Sequence, residues 1–567
     1  MIEIFFFCFA TSIYFISAGI FFENKILQNT NIHNENIYKL PLYGGILLAF
    51  LGLFFNFFMS LGKNLNSLIY LFFFIYLIFS QTKHLKKILI SSIIISFICS
   101  ILLIHETTYR PDAGLYHLPF VSILNNEKII IGLSNIHFRF GHTSITQYIS
   151  ALNNNWLFSD KGILIPTSVI YGSFLFYLIN EIKNYQNKSS LIFNLIIFSF
   201  LCLKLNRYSD FGNDAPAHIY YFFLTSIAVS SFSNLSKNKM SEIIILSAYI
   251  VFNKITLFLG SLITLFFLIL RKNFYYFNLR PIIFISLFTF LFFFKNFLIS
   301  GCFAFPIEKT CLSNVQWFDT GGNKNSIAKV TMLENEAWTK GWSDQKGKIK
   351  NYELYLSDYN WIKIWSNNHG KRILYKIMPF LAFIIFLFLF LYFIKSETIK
   401  YSKHRSNKSE KKYLTFFLIL NLVGITIWFL KFPVFRYGYS YIILFLNLLF
   451  LTFIYDKLQN VEIKKYNRAI NIIVIFLITV LISKNLLRII KNYDNNYNFA
   501  PWPKIYSYSK LNNKQKYEKI KKNNNFLFYY SVDGLCMYGP SPCSHYINKN
   551  LELRTFNKYK IYYITYK

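Results

Sequence analysis

The sequence predicts an all-α integral membrane protein of about 12–14 transmembrane helices, with long loops and a small C-terminal segment on one face. Three observations predict it. The 567 residues are 54% hydrophobic, 20% aromatic and only 15% charged; apolar runs approaching membrane length recur along the chain; and lysine-rich connections alternate with lysine-poor ones. That composition excludes a cytosolic globular enzyme. The formal charge of +34 does not argue for nucleic acid, because the basic residues of a membrane protein sort first by the face of the bilayer they occupy. Heavy use of Asn, Lys, Ile, Phe and Tyr also resembles the drift of an AT-rich coding sequence, so no single aromatic carries weight alone.

The apolar runs, in order, are Ile4–Phe22, Leu42–Leu61, Leu65–Ser80, Ile88–Ile104, Ile163–Ile179, Leu191–Leu203, Ala215–Phe232, Ile243–Phe252, Ile255–Leu270, Ile282–Ile299, Ile377–Ile394, Leu414–Leu430, Tyr439–Tyr455 and Ile470–Ile482. Several fall short of the ~20 residues that cross a ~30 Å hydrocarbon core, so they borrow flanking residues or are broken helices packed against protein.

Lys and Arg gather in alternate connections: Lys83, Lys86 and Lys87; Lys183 and Lys188; Lys237 and Lys239; Arg271, Lys272 and Arg280; Lys395 to Lys412; and Lys457, Lys464, Lys465 and Arg468. Positively charged short loops stay in the cytoplasm, so these face inward. The long loops Glu106–Lys161 and Ser300–Lys376 and the tail from about Arg488 then face outward, with both termini. The first span reads as retained, since no basic residue precedes it and no small-residue cleavage site follows it. The expected division is N-terminal transmembrane helices over 1–104, an outer loop with an acidic motif over 105–161, central transmembrane helices over 162–299, an outer loop over 300–376, C-terminal transmembrane helices over 377–487 and an outer segment over 488–567. The apolar spacing of Leu118, Val121 and Leu124, and of Ile145, Ile149 and Leu152, predicts short amphipathic helices lying on the membrane surface. Alternation at Phe526–Val532 and Tyr559–Tyr566 hints at a few strands in the tail. Cys8, Cys99 and Cys202 fall in spans, whereas Cys302/Cys311 and Cys536/Cys543 are close pairs in outer segments, open to disulfides or to free thiols.

Three polar groups collect on the predicted outer face. The first is Tyr109-Arg-Pro-Asp-Ala-Gly-Leu-Tyr-His-Leu-Pro119 with Asn135-Ile-His-Phe-Arg-Phe-Gly-His142; the second is the short turn Asn206-Arg-Tyr-Ser-Asp-Phe-Gly-Asn-Asp-Ala-Pro-Ala-His218. They bring Asp112, Asp210 and Asp214 to one face, where carboxylates are costly unless paired, hydrated or functional. Each of Asp112 and Asp214 also precedes a helix-like stretch and fits a helix cap. The third group is the isolated outer cations Arg139, Lys254 and Arg436, which oppose the orientation rule; anionic headgroups or pyrophosphate are their natural partners, and snorkelling is the plainer alternative. Carboxylate to deprotonate a hydroxyl, cations to receive a departing phosphate, and spans that admit a lipid tail are the parts needed to move a sugar from a polyprenyl phosphate. No phosphate-cradling glycine motif and no metal-type Cys/His spacing is present.

These residues resemble the GT-C class of multispanning glycosyltransferases, which use lipid-linked sugars and carry an acidic residue in an early outer loop. The resemblance makes Asp112 that residue, Asn213-Asp-Ala-Pro-Ala the second outer acidic motif, and Phe435-Arg-Tyr the Arg-Tyr that opens a late span. More narrowly, Tyr116-His-Leu-Pro, Gly132-Leu-Ser-Asn-Ile-His-Phe-Arg-Phe-Gly141, Ser300-Gly-Cys-Phe-Ala-Phe-Pro306 and Pro540-Ser-Pro-Cys-Ser-His-Tyr resemble a family of bacterial membrane proteins known as the LIC_10190 family. One departure stands out: the acidic loop follows the fourth span here and the first in typical GT-C enzymes. The resemblance implies a multi-pass protein of the bacterial inner (plasma) membrane that transfers a sugar from a polyprenyl-phosphate carrier to an envelope glycan or lipid. Asp112, His117 and Asp214 are then the catalytic candidates, and Tyr116, Arg139, His142, Asp210, Lys254 and Arg436 the substrate-binding ones. The residues name no cofactor; the resemblance allows a divalent cation between Asp112 and Asp214 or Asp210. Rival readings are a transporter or flippase of lipid-linked saccharide, which expects charges along a pathway and repeated halves, and a non-catalytic protein of envelope assembly.

Overall fold

Backbone groups inside a hydrocarbon layer have no water to bond, so apolar runs of this length satisfy them within helices. The computed structural model describes residues 1–29, 36–80, 84–106, 112–142, 144–185, 187–204, 211–232, 235–271, 278–322, 325–342, 351–393, 408–493, 499–506, 517–522 and 525–566. Its helices are α1 (Ile2–Phe22), α2 (Leu40–Asn56), α3 (Lys63–Ser80), α4 (Leu85–Leu103), α5 (Leu118–Asn126), α6 (Thr146–Leu152), α7 (Pro166–Lys183), α8 (Lys188–Lys204), α9 (Asp214–Ser230), α10 (Lys237–Asn253), α11 (Leu262–Arg271), α12 (Leu279–Ser300), α13 (Ile327–Thr339), α14 (Tyr352–Leu356), α15 (Trp361–Trp365), α16 (Lys371–Phe393), α17 (Lys408–Lys431), α18 (Phe435–Asn460) and α19 (Asn467–Asn492).

Each of the fourteen apolar runs is helical, and ten helices among the described residues are long and apolar enough to cross a membrane: α1 to α4, α7, α12 and α16 to α19. The chain is therefore a multi-pass membrane protein in contact with lipid. The other four runs are the short ones. Helices α8, α9 and α10 have 17 residues each, about 25 Å of rise, and α8 and α9 are enclosed by protein on nearly every side. Helix α11 follows a tighter turn at Ile255–Ser261, with the break at Lys254 in extended conformation. Helices α1 and α2 approach so closely that a Cβ on Gly44 would lie 2.0 Å from the carbonyl oxygen of Phe15 and one on Gly19 2.0 Å from that of Leu40. Only glycine permits that contact.

Among the described residues, the alternating helices put the lysine-bearing connections at one end of the bundle and the long loops at the other. At the loop-rich end Glu3 pairs with Lys161 at 2.8 Å and accepts from the Trp502 indole at 3.0 Å. At the lysine-rich end buried Lys39 bridges Glu23 at 3.0 Å and Glu242 at 3.2 Å.

The predicted surface helices are a correction. Both α5 and α6 are buried, including Leu118, Val121, Leu124, Ile145, Ile149 and Leu152. They cannot lie on a bilayer because protein covers them: α6 packs on α2 and α5, and the C-terminal segment bonds the α5 region. That segment is not helical: β1 (Tyr517–Lys522), β2 (Asn525–Ser531) and β3 (Cys543–Ser544) form one small sheet, and β4 (Leu551–Phe556) pairs antiparallel with β5 (Tyr559–Ile564). All-α thus holds for the bundle and not for the tail, where the two alternating stretches become β2 and β5. Asn557 and Lys558 turn the second hairpin with positive φ at both positions, matching the right-handed strand twist. The Met537 amide donates to the Gly114 carbonyl at 2.8 Å, the Ser122 hydroxyl to Gly539 at 2.6 Å, and the Tyr562 amide to Ile131 at 2.9 Å. Disulfides join Cys302 to Cys311 and Cys536 to Cys543, whereas Cys8, Cys99 and Cys202 are buried free thiols.

Arg488 fastens α19 to the end of α4. It pairs with the fully buried Glu106 at 3.1 Å and donates to the carbonyls of Ile101 at 2.6 Å and Ile104 at 2.9 Å. Removing one partner of such a pair leaves an uncompensated buried charge. Arg488→Met is expected to destabilise the protein by about 3–5 kcal/mol, and Glu106→Gln with Arg488→Met to recover most of that loss. Thermal unfolding in detergent micelles measures both, and equal melting of Arg488→Met and wild type would show that the pair does not hold the two helices.

Candidate active site

Asp112 opens a widened helical turn, Ala113–His117, that leads into α5. In such a turn residues five apart stack on one face, which carries Asp112 and His117 to the same wall. Arg139 comes from a short tight turn at Phe138–His142, its amide held by His137 Nδ1 at 3.1 Å. Asp214 is the first residue of α9, Lys254 occupies the break after α10, and Arg436 is the second residue of α18, placed by the chain reversal at Phe432-Pro433. Neither aspartate makes a side-chain cap bond, so capping does not account for them.

The five charges form one alternating chain. Arg139 lies 3.6 Å from Asp112, Asp112 lies 2.8 Å from Arg436, Arg436 lies 3.8 Å from Asp214, and Asp214 is in direct contact with Lys254. The sequence suggests one carboxylate cluster and one cation cluster; the folded chain interleaves them, because adjacent like charges would repel in a partly buried site. Three cations against two carboxylates leave one surplus positive charge. The N-terminus of α18 adds its partial positive charge at the same place. Arg436 also stands 5.1 Å from the Tyr437 ring and donates to its hydroxyl at 3.2 Å, and the Lys254 ammonium lies 4.2 Å from that ring.

All five border a cavity of about 530 Å³. Its apolar lining includes Val251, Phe258, Phe292, Ile427, Trp428 and Phe432. Tyr116, His117 and His142 also line it, so eight of the nine sequence candidates meet in one space. The ninth, Asp210, lies outside the described residues. His142 lies 3.3 Å from the Asn335 amide and edge-on to Phe305.

His117 is buried, with Nδ1 2.8 Å from Gln147 Nε2. A Cβ on Gly212 would come 2.9 Å from its Nε2, so glycine at 212 lets the imidazole reach the cavity. Burial lowers its pKa to about 4, although Asp112 and Asp214 pull the other way. His142 falls to about 3 through burial and the nearby Arg139. Burial pushes the Tyr116 hydroxyl well above its ordinary range, with Asp112 adding to the shift.

Several residues of this site were not singled out from the sequence. His218, one turn after Asp214 on α9, bridges Ser440 Oγ at 2.7 Å and the Arg436 carbonyl at 2.9 Å, fixing the start of α18. Its spacing of four from Asp214 was the available signal. Asn253 accepts from Thr146 and from Ser144 at 3.5 Å, and Asn213 donates to its carbonyl at 3.4 Å, tying the α10 break to α6 and α9. Nothing in the sequence pairs those positions.

Asp210, one of the residues the resemblance offers to a divalent cation, lies outside the described residues. Among the described residues no group of three or more His, Cys, Asp and Glu gathers closely enough to hold a metal ion, and both carboxylates already face cations.

The family described as a domain of unknown function, DUF8201, matches residues 1–443. The chain belongs to that family. No curated protein and no solved structure matches it. All five charged residues of this DUF8201 protein fall within the matched region, and the strands of the tail lie beyond it.

Because the fold lowers the His117 pKa from 6.5 to about 4, the unfolded chain binds more protons between those values and stability rises with pH there. The contribution is fully present above pH 6.5 and is lost as pH falls toward 4, up to about 3 kcal/mol. Melting curves of wild type and His117→Gln from pH 7 to 4.5 check this: wild type is expected to lose the larger share of its stability, and parallel curves would contradict it.

Proposed function

We propose that this DUF8201 protein is a membrane glycosyltransferase of the GT-C kind, moving a sugar from a polyprenyl-phosphate carrier to an envelope glycan or lipid. The observation that carries this reading is the alternating chain Arg139, Asp112, Arg436, Asp214, Lys254 beside an apolar wall in one cavity. A lipid-linked phosphosugar has a matching layout, with an anionic centre, a polar sugar and a long apolar tail. The loop-rich end faces the non-cytoplasmic side of the bacterial inner membrane in this reading. The sidedness is supported by the lysine asymmetry and by the cysteines, since both disulfides lie in the loop-rich segments and the free thiols lie in helices.

The ion pairs set the order of events. An arriving carrier phosphate competes with Asp112 for Arg436 and Arg139, and each cation drawn to phosphate frees an Asp112 carboxylate oxygen to accept a hydrogen bond from the acceptor hydroxyl. The acceptor hydroxyl then attacks the anomeric carbon, the proton passes to Asp112, and the bond between the anomeric carbon and the phosphate oxygen breaks with its electron pair on phosphate. Arg436, Arg139 and Lys254 receive that charge. Asp214 keeps Lys254 and Arg436 in place. His117, neutral at pH 7, contributes shape and a hydrogen bond and no charge.

Profiling glycans and lipid-linked intermediates in a deletion strain tests the reading, with accumulation of a carrier-linked monosaccharide expected. Asp112→Asn, present at wild-type level, is expected to fail to restore the product, a loss of about 10²–10⁴-fold in rate. Full restoration by Asp112→Asn, or an unchanged lipid-linked pool in the deletion strain, would sink the proposal.

A further inference from the structure

The outer segment between α12 and α16 brings an uncharged wall to the charged cavity. Its first part is closed by the Cys302–Cys311 disulfide, and Ala304, Phe305, Pro306 and Ile307 inside that ring line the cavity. The Ala304 amide donates to Thr310 Oγ1 at 3.1 Å, and the Asn296 side chain to the Phe303 carbonyl at 3.1 Å, so the ring is fixed to the end of α12. Ser326, which caps α13 by accepting from the Lys329 amide, donates its hydroxyl to Glu308 of the same ring. Helix α13 is thereby set along the cavity. Met332 and Asn335 line it, and Trp338, a further step of three along the helix, has its ring 5.6 Å from the Arg436 guanidinium. Residues three apart on a helix are surface neighbours, so Asn335 stands beside an indole that is 43% exposed.

This wall suits hydroxyls better than phosphate. None of its cavity-lining residues carries a formal charge near pH 7, because burial and the nearby Arg139 hold the His142 pKa at about 3. Asn335 meets His142 Nε2 at 3.3 Å. With that nitrogen accepting from the amide, the neutral imidazole carries its proton on Nδ1, and the carboxamide adds a carbonyl acceptor. A sugar ring has the complementary pattern. Its C–H faces pack on an aromatic ring, and the hydroxyls around its edge both donate and accept, with no charge to desolvate. A phosphate would favour the cations instead.

We propose that Trp338, Asn335 and His142 form a subsite for a neutral sugar ring, next to the phosphate-binding cations. The subsite rests on the reading of the cavity as one for a lipid-linked saccharide. Arg436 meets Asp112 at 2.8 Å and the Trp338 ring at 5.6 Å, so the subsite adjoins the charge chain. Two rings present that chemistry: the sugar carried by the lipid and the terminal sugar of an acceptor glycan.

Native mass spectrometry of the full-length protein in detergent tests this, with polyprenyl phosphate, its glucosyl, mannosyl and N-acetylglucosaminyl esters, and the methyl glycosides of the same sugars. A donor ring gives one glycosylated lipid retained about tenfold or more over the bare lipid, and an acceptor ring gives a ternary complex of protein, bare lipid and methyl glycoside. Asn335→Leu is expected to remove that gain or that complex while the bare lipid is still retained, and an unchanged melting temperature shows that the fold is intact. Should that variant not fold, Trp338→Leu, at an exposed position, is expected to weaken the same signal severalfold. A folded variant that keeps the wild-type preference would overturn the subsite. So would a wild type that retains the bare lipid as well as every glycosylated one and binds no methyl glycoside. Failure to retain the bare lipid sinks the carrier reading instead, and the subsite then stands or falls on whether wild type binds a methyl glycoside that Asn335→Leu does not.

Discussion

Arg436 between two carboxylates is the constraint on which the rest of the site depends. A guanidinium cannot lose its proton and presents donors in several directions, so it can face Asp112 and Asp214 at once when both come within reach. Meeting that condition requires the turn before α5, the start of α9 and the start of α18 to converge at one level of the bundle. Each is fixed by contacts of its own: Met537 and Ser122 tie the α5 region to the tail, Asn213 ties α9 to the α10 break, and His218 holds the Arg436 carbonyl.

The alternation also explains why a cavity so rich in charge is tolerated beside apolar helices. Each carboxylate faces cations and each cation faces a carboxylate or an aromatic ring, which limits the cost of removing them from water. The surplus positive charge and the α18 N-terminus give the site a preference for anions without stranding an unpaired lysine in the bundle. Neutral His117 fits the same economy, since another cation in that wall would stand against Arg139 and Arg436.

The tail plays a structural part that its composition did not suggest. It is rich in Tyr and Lys and reads as an outer segment; in the fold it bonds the α5 region and pairs β5 with Ile131. The disulfide between Cys536 and Cys543 brackets the residues that bond Gly114 and Ser122. The turn carrying Asp112 is thus held by the tail through the Met537–Gly114 hydrogen bond.

What the residues alone settled was the membrane class and the position of the apolar helical runs, because apolar length and lysine asymmetry are properties of local composition. They also marked Asp112, Asp214, Lys254, Arg139 and Arg436, since charges opposing the apolar and orientation patterns are conspicuous in one dimension. Tertiary structure alone decided the order of those charges, the burial of α5 and α6, and the roles of His218, Asn253 and Gln147. Several of those depend on pairings between segments more than a hundred residues apart, such as His218 with Ser440 and Asn253 with Thr146. A periodicity of 3.6 shows that a helix has an apolar face and not which neighbour covers it, so a stripe meant for protein and one meant for lipid read alike until the chain has folded.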